Sequence, residues 1–271
     1  MELIKTTTVY DTYWRFAAER QKIFFKRLNK NKSPYTNDPI LLKFKFTNVY
    51  RVLDKVTQYL IKNIINNGDP STDETFFRIL LFKTFNRIDT WELLTKKLKN
   101  ISYANYNFNR YNKILSNEMN NNRKIYSPAY IMASGKNFFG FERKHSNHLK
   151  LIELLMNDDV PKRIENSKSM MEAFNILKLY PTIGDFLAYQ YVIDINYSNI
   201  TNFSEMEFVV PGPGAKNGIK KYFLSTGGLN DVEIIKYMAD NQENEFERLG
   251  IRFKSLGGRR LQLIVKIFFV K

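Results

Sequence analysis

Apolar residues recur at helical spacing along most of this chain, and the breaks between them carry Gly, Pro and Asn. From Thr12 to Asn29, Trp14, Ala17, Ala18, Ile23, Phe24 and Leu28 can share one side, with Arg15, Arg20, Lys22, Lys26 and Arg27 on the rest. That pattern predicts a basic amphipathic helix. The polar run Asn29–Pro39 predicts a loop. A second helix is expected to open at Phe46–Arg51, with Thr47 or Asn48 as N-cap and Val49, Val52, Leu53, Val56, Tyr59 and Leu60 as its buried stripe. After the turn Asn66–Pro70, Ser71 or Thr72 caps a helix whose core residues are Phe76, Phe77, Leu80, Leu81 and Phe85. Asn86–Asp89 interrupts it, and Thr90–Leu98 continues. Further helices are expected at 144–157, 167–177, from Asp185, at 215–223, 231–240 and 242–249, and a final apolar segment, β-like or helical, at Leu261–Val270. The chain reads as mainly α, and its length fits one large or two small domains.

Two turns stand out against this helical background. Tyr180-Pro181-Thr182-Ile183-Gly184 joins two helices, and Pro181 discourages helix at Tyr180. Gly184 is expected to supply a left-handed backbone conformation. Thr182, Ile183 and Gly184 would offer amides at a helix start, where a phosphate binds without carrying base information. Pro211-Gly212-Pro213-Gly214 is the second turn, expected to precede a helix from Ala215. Gly212 and Gly214 permit close backbone approach, and Lys216, Lys220 and Lys221 add charge. No Gly-Lys-Ser/Thr follows at nucleotide-loop spacing. A solvated turn and a plain Pro/Gly connection explain the same residues without a ligand.

Charge gives these turns a partner class. The net charge is +15 and the isoelectric point about 9.7, as expected of a chain that meets a polyanion, most commonly nucleic acid. No apolar run reaches the roughly 20 residues of a membrane-spanning helix. The first residues, MELIKTTTVYDTYW, carry no signal-peptide pattern, so a cytoplasmic location is expected. With no cysteine, thiol catalysis, disulfides and cysteine–metal sites are excluded. His145 and His148 are the only histidines, too few for a zinc site without other ligands. No metal, cofactor or protein partner is implied.

Several polar residues are candidates for reading a base. Asn48, Arg51 and Asp54 would line the polar side of the second helix, beside Tyr50, or else cap it and form a surface pair. Asn86 lies between two helices, where its amide can cap the backbone or face a base. Tyr189, Gln190, Asp194 and Asn196 follow the first turn on one helix. Asp194 sits near that helix's C-terminal end, where a carboxylate opposes the dipole. Phe138 and Phe139, in the loop Gly135–Gly140, would wedge into a duplex or anchor the loop.

Five blocks, Phe44–Ile61, Arg78–Glu92, Tyr180–Ser198, Phe208–Phe223 and Gly258–Ile264, resemble the α-glutamyl/putrescinyl thymine pyrophosphorylase family, itself related to the helical domain of hydroxymethyl-deoxyuridine DNA kinases. The chain departs from that family at Val265–Lys271. The resemblance implies a two-lobed, helix-hairpin-helix DNA-glycosylase-like fold over residues 1–271. The hairpin element would span about 167–197, and the partner would be double-stranded DNA carrying modified bases. A phage-defence branch of glycosylases acting on glucosylated hydroxymethylcytosine is similar too. That branch implies a DNA glycosylase that flips out its base, and the lack of a Schiff-base lysine after the hairpin favours a monofunctional enzyme. The alternatives are a transferase coupling an amine to an activated hydroxymethyl pyrimidine, or a non-catalytic DNA-binding protein. Helix-hairpin-helix glycosylases place their essential acid after the hairpin, at an interval that from Pro181 falls on Glu205 to Glu207. Glu207 and Asp194 are the catalytic candidates, with Glu205 beside them.

Overall fold

The computed structural model describes residues 3–44, 46–128 and 132–256. In chain order it contains β1 (Ile4–Thr6), α1 (Tyr10–Leu28), α2 (Pro39–Lys43), α3 (Lys55–Leu60), α4 (Thr72–Phe85), α5 (Ile88–Leu98) and α6 (Phe108–Asn120). There follow α7 (Lys136–Phe139), α8 (Lys144–Asn157), α9 (Val160–Glu165), α10 (Met170–Lys178) and α11 (Asp185–Ile195). The last elements are α12 (Pro213–Tyr222), β2 (Phe223–Thr226), α13 (Asp231–Asp240) and α14 (Gln242–Arg248). The protein is mainly helical. The expected segment Leu261–Val270, the Arg259–Arg260 pair before it, and Ala129–Ile131 lie outside the described residues.

The chain divides into two compact units, Met1–Asp54 with Val209–Lys271, and Lys55–Phe208. The first is built on aromatic packing. Trp14 of α1, with no exposed surface, meets Tyr10, Tyr13 and Phe246 edge to face. Tyr222 packs on Tyr13 and Phe223 on Tyr10, which fixes α12 and β2 against α1. β1 and β2 form an antiparallel pair, with Ile4 opposite Thr226.

Two expectations fail in this unit. Arg20 is not on a solvated basic face: it is 1% exposed, and its guanidinium donates to the carbonyls of Thr47 and Asn48. Those bonds tie down the segment expected to open the second helix. The segment is instead a single tight turn at Arg51–Leu53, and regular helix begins only at Lys55. Asn48 caps nothing helical. Its amide nitrogen donates to Leu53 O at 2.7 Å, and its backbone N–H donates to Asp54 Oδ1 at 2.8 Å.

The second unit is organised around α4, in which every residue from Glu74 to Phe85 is buried. It packs against α8, α9, α11 and the 61–65 turn. A helix buried all round must neutralise its own charges. Glu74 accepts the backbone N–H groups of Tyr103 and Ala104, both at 2.8 Å. Arg78 donates to the carbonyls of Ile64 and Asp69 at 3.1 and 2.6 Å. Lys83 reaches Asp194 of α11. α8 is tied in by its histidines, both about 1% exposed or less. His148 Nε2 faces the carbonyl of Ala133 at 2.7 Å, so that nitrogen carries the proton, and Nδ1 accepts from Tyr126 OH at 2.9 Å.

Candidate nucleic-acid interface

The hairpin between α10 and α11 belongs to the second unit. Ser169 caps α10 by accepting from Glu172 N. Beyond its end, Ile183 N donates to Tyr180 O at 3.2 Å and closes a turn with Pro181 at its second position. The left-handed residue is Thr182, at φ +67°, not Gly184, which is extended at φ −85°. In this turn type the position after proline needs positive φ, so the hydrogen bond moves the strain two residues ahead of the glycine. A β-branched residue there is a steric outlier that costs roughly 1–3 kcal/mol, and such strain concentrates at functional sites. The Thr182 hydroxyl is shut away from solvent with no hydrogen-bond partner.

Gly184 is the N-cap of α11 and offers no side chain to the first amides. A Cβ built on it would meet nothing within 4 Å, so packing does not demand glycine. Glycine instead leaves the helix start open to an approaching group. Asp185 in the first turn suits the dipole, and Lys178 offsets its charge at 2.6 Å.

The second bend belongs to the other unit and is built in the same way. Gly212, at φ −73°, is the N-cap of α12, with no side-chain cap and nothing within 4 Å of its missing Cβ. The helix starts at Pro213, two residues earlier than expected, because proline's fixed φ suits the first helical position. Gly214 and Ala215 are buried inside the first turn, while Lys216, Lys220 and Lys221 are exposed. A cleft of about 590 Å³ in this unit, walled by Arg15, Glu19, Lys22, Lys26, Thr36 and Asp38 among others, contains none of the expected site residues.

The three carboxylates have different surroundings. Asp194 has no exposed surface and meets Lys83 Nζ at 2.8 Å. Glu207 is exposed and Glu205 half-buried, on a turn where Glu207 N donates to Ser204 O. The next residue, Phe208, packs on Phe174 of α10 and Tyr189 of α11, with ring centroids 5.0 and 5.9 Å apart. Phe208, which follows the Glu205–Glu207 turn, is thus packed against both hairpin helices.

The base-pocket candidates are mostly committed to local structure. Asn196 accepts from Thr201 Oγ1 and Phe203 N and donates to Phe203 O, closing the 197–203 loop. Asn86 is the left-handed C-cap of α4, its N–H on Phe82 O at 2.7 Å, and its buried Oδ1 lacks a hydrogen-bond partner. Tyr189 and Gln190 are buried on α11. Asn48, Tyr50, Arg51 and Asp54 do not stack along a helix. Tyr50 OH accepts from Leu256 N, and Arg51 is buried. Lys83 was not singled out from sequence, although a lone lysine within Phe82-Lys83-Thr84-Phe85 signals a buried partner.

The family described as "5-hmdU DNA kinase, helical domain" matches residues 7–265. The chain belongs to that family. It is 25% identical over 264 residues to the 5-hmdU DNA kinase of Bacillus phage SP10, which covers 91% of this chain but 41% of the relative. The chain therefore spans less than half the length of that relative. No solved structure matches it. The finding corrects the glycosylase assignment: the named relative is a kinase, a transferase, and not a hydrolase of glycosidic bonds. Helix, hairpin and carboxylate, the features that suggested a glycosylase, are shared by proteins of different chemistry. No described helix is long and apolar enough to cross a membrane.

Proposed function

We propose that this chain is a DNA-engaging helical module that recognises duplex DNA carrying 5-hydroxymethyl-deoxyuridine, the modified nucleoside in the name of its phage relative. The observation that carries this is the pair of glycine-capped helix starts, at Gly184 and Gly212. Each lacks a side-chain cap, each has open space where a side chain would stand, and each lies in a chain of net charge +15. Unpaired amides at a helix N-terminus bind phosphate oxygens. Thr182, Ile183 and Gly184 form one such grip. Gly212, Gly214, Lys216, Lys220 and Lys221 form the other.

The strained Thr182 is consistent with a turn shaped for contact. Among the carboxylates Glu207 is the exposed one, while Asp194 serves the core. The role proposed for the module is recognition of the DNA, and the sequence holds no Gly-Lys-Ser/Thr nucleotide loop. Duplexes identical except for one 5-hydroxymethyluracil in place of thymine provide the test, with binding titrated at several salt concentrations. Tighter binding of the modified duplex, with affinity falling steeply as salt rises, is expected. Equal affinity for the two duplexes removes the modified-base part of the proposal, and no binding to either removes all of it.

A further inference from the structure

The loop that carries α7 stands next to the hairpin and is braced more heavily than its length requires. Gly135 and Gly140 flank the single turn Lys136–Phe139, both left-handed, at φ +72° and +79°. Asn147 of α8, fully buried, spans the loop from below. Its amide nitrogen donates to Ser134 O at 3.0 Å and to Phe141 O at 2.8 Å, and its oxygen accepts from Phe141 N at 3.0 Å. Lys136 and Glu142 pair across the loop at 2.7 Å. A Cβ on Gly135 would lie 3.2 Å from Asn147 Cβ and 3.6 Å from the Thr182 methyl, so the loop rests directly on the hairpin tip.

The two phenylalanines of this loop have different jobs. Phe139 is half-buried, with a ring carbon 3.4 Å from the position of a Gly135 Cβ. Phe138 projects, 67% exposed. Within its own loop its exposed neighbours are the polar Ser134, Lys136, Asn137, Glu142 and Arg143, while on the flanks of the hairpin turn Leu179 and Phe186 are exposed as well, 72% and 46%. A projecting aromatic ring held by a braced loop beside a phosphate grip suits a gap between stacked bases.

We infer that Phe138 is a wedge that enters the base stack of duplex DNA held at the α10–α11 hairpin, unstacking the step beside the modified pyrimidine. The inference rests on the DNA-binding reading above. Asn147 and the two left-handed glycines position the ring, and Phe139 anchors the loop. Apolar wedges of this kind kink and unstack a step, which lowers the cost of turning a nucleotide outward.

The test uses the full chain and a duplex with 2-aminopurine next to a 5-hydroxymethyluracil–adenine pair. The wild-type protein is expected to raise 2-aminopurine emission roughly threefold or more as the step unstacks. Phe138→Ala should abolish that rise and weaken binding about tenfold, as loss of one aromatic–base stack does. Phe138→Trp should restore the rise, with tryptophan emission from position 138 quenched on DNA addition. Because the side chain is exposed, neither variant threatens folding. A full 2-aminopurine response in Phe138→Ala, or tryptophan emission at 138 that ignores DNA, overturns the wedge. Preferential binding of modified DNA with no unstacking signal overturns the wedge alone, while no binding to any duplex overturns the DNA reading with it.

Discussion

Lys83 and Asp194 show what a buried charge pair demands. Lysine and aspartate together in a helical core lose their hydration, and their 2.8 Å contact offsets much of that cost. Removing one partner leaves an uncompensated charge. Lys83→Met is therefore expected to destabilise the protein by roughly 3–5 kcal/mol, while Lys83→Met with Asp194→Leu recovers most of that loss. Denaturant titration of the two variants and the wild type measures this. A single variant as stable as the wild type would mean that water or another group already satisfies the pair. Asp194 was legible as a misplaced acid near a helix C-terminus. Its partner was not, because residues 83 and 194 meet only through the packing of α4 on α11.

At the scale of elements, α8 carries a consequence for pH. Burial pushes both His145 and His148 down to about 4, from an ordinary value of 6.5. Arg143 adds to the effect at His145. At His148 the Ala133 carbonyl opposes it, and Lys144 and His145 add to it. Above pH 6.5 the imidazoles are neutral in the folded and unfolded chain alike and contribute no pH dependence. Between 6.5 and 4 the unfolded chain binds protons that the folded one refuses, so stability falls as pH falls, by up to about 1.4 kcal/mol per pH unit for each histidine. His148→Gln should flatten this slope in unfolding experiments from pH 7 to 4. An unchanged slope would assign the acid sensitivity to carboxylates. The helices themselves were largely legible: α8, α13 and the start of α11 fall where periodicity and capping residues placed them. The segment 46–54 did not, because the buried Arg20 pulls its carbonyls into a tight turn and local propensity loses to that tertiary bond.

For the whole molecule, charge is the governing quantity. Most of the surplus positive charge belongs to the unit formed by residues 1–54 and 209–271, which also carries Lys216, Lys220 and Lys221. Lys220→Glu with Lys221→Glu is expected to weaken DNA binding and to reduce the slope of log affinity against log salt by about 2, one for each lost phosphate contact. A slope equal to that of the wild type would mean that these lysines face away from DNA. The sequence by itself determined the helical class, the surplus of positive charge, the two glycine-bearing turns and the family, since all of these depend on local pattern, composition or motif. Only the tertiary structure decided that Thr182 and not Gly184 bears the left-handed strain, that Asp194 is sealed against Lys83, and that Phe138 is exposed while Phe139 is half-buried. Each of these depends on which distant segments share a space, and spacing along one chain does not encode that.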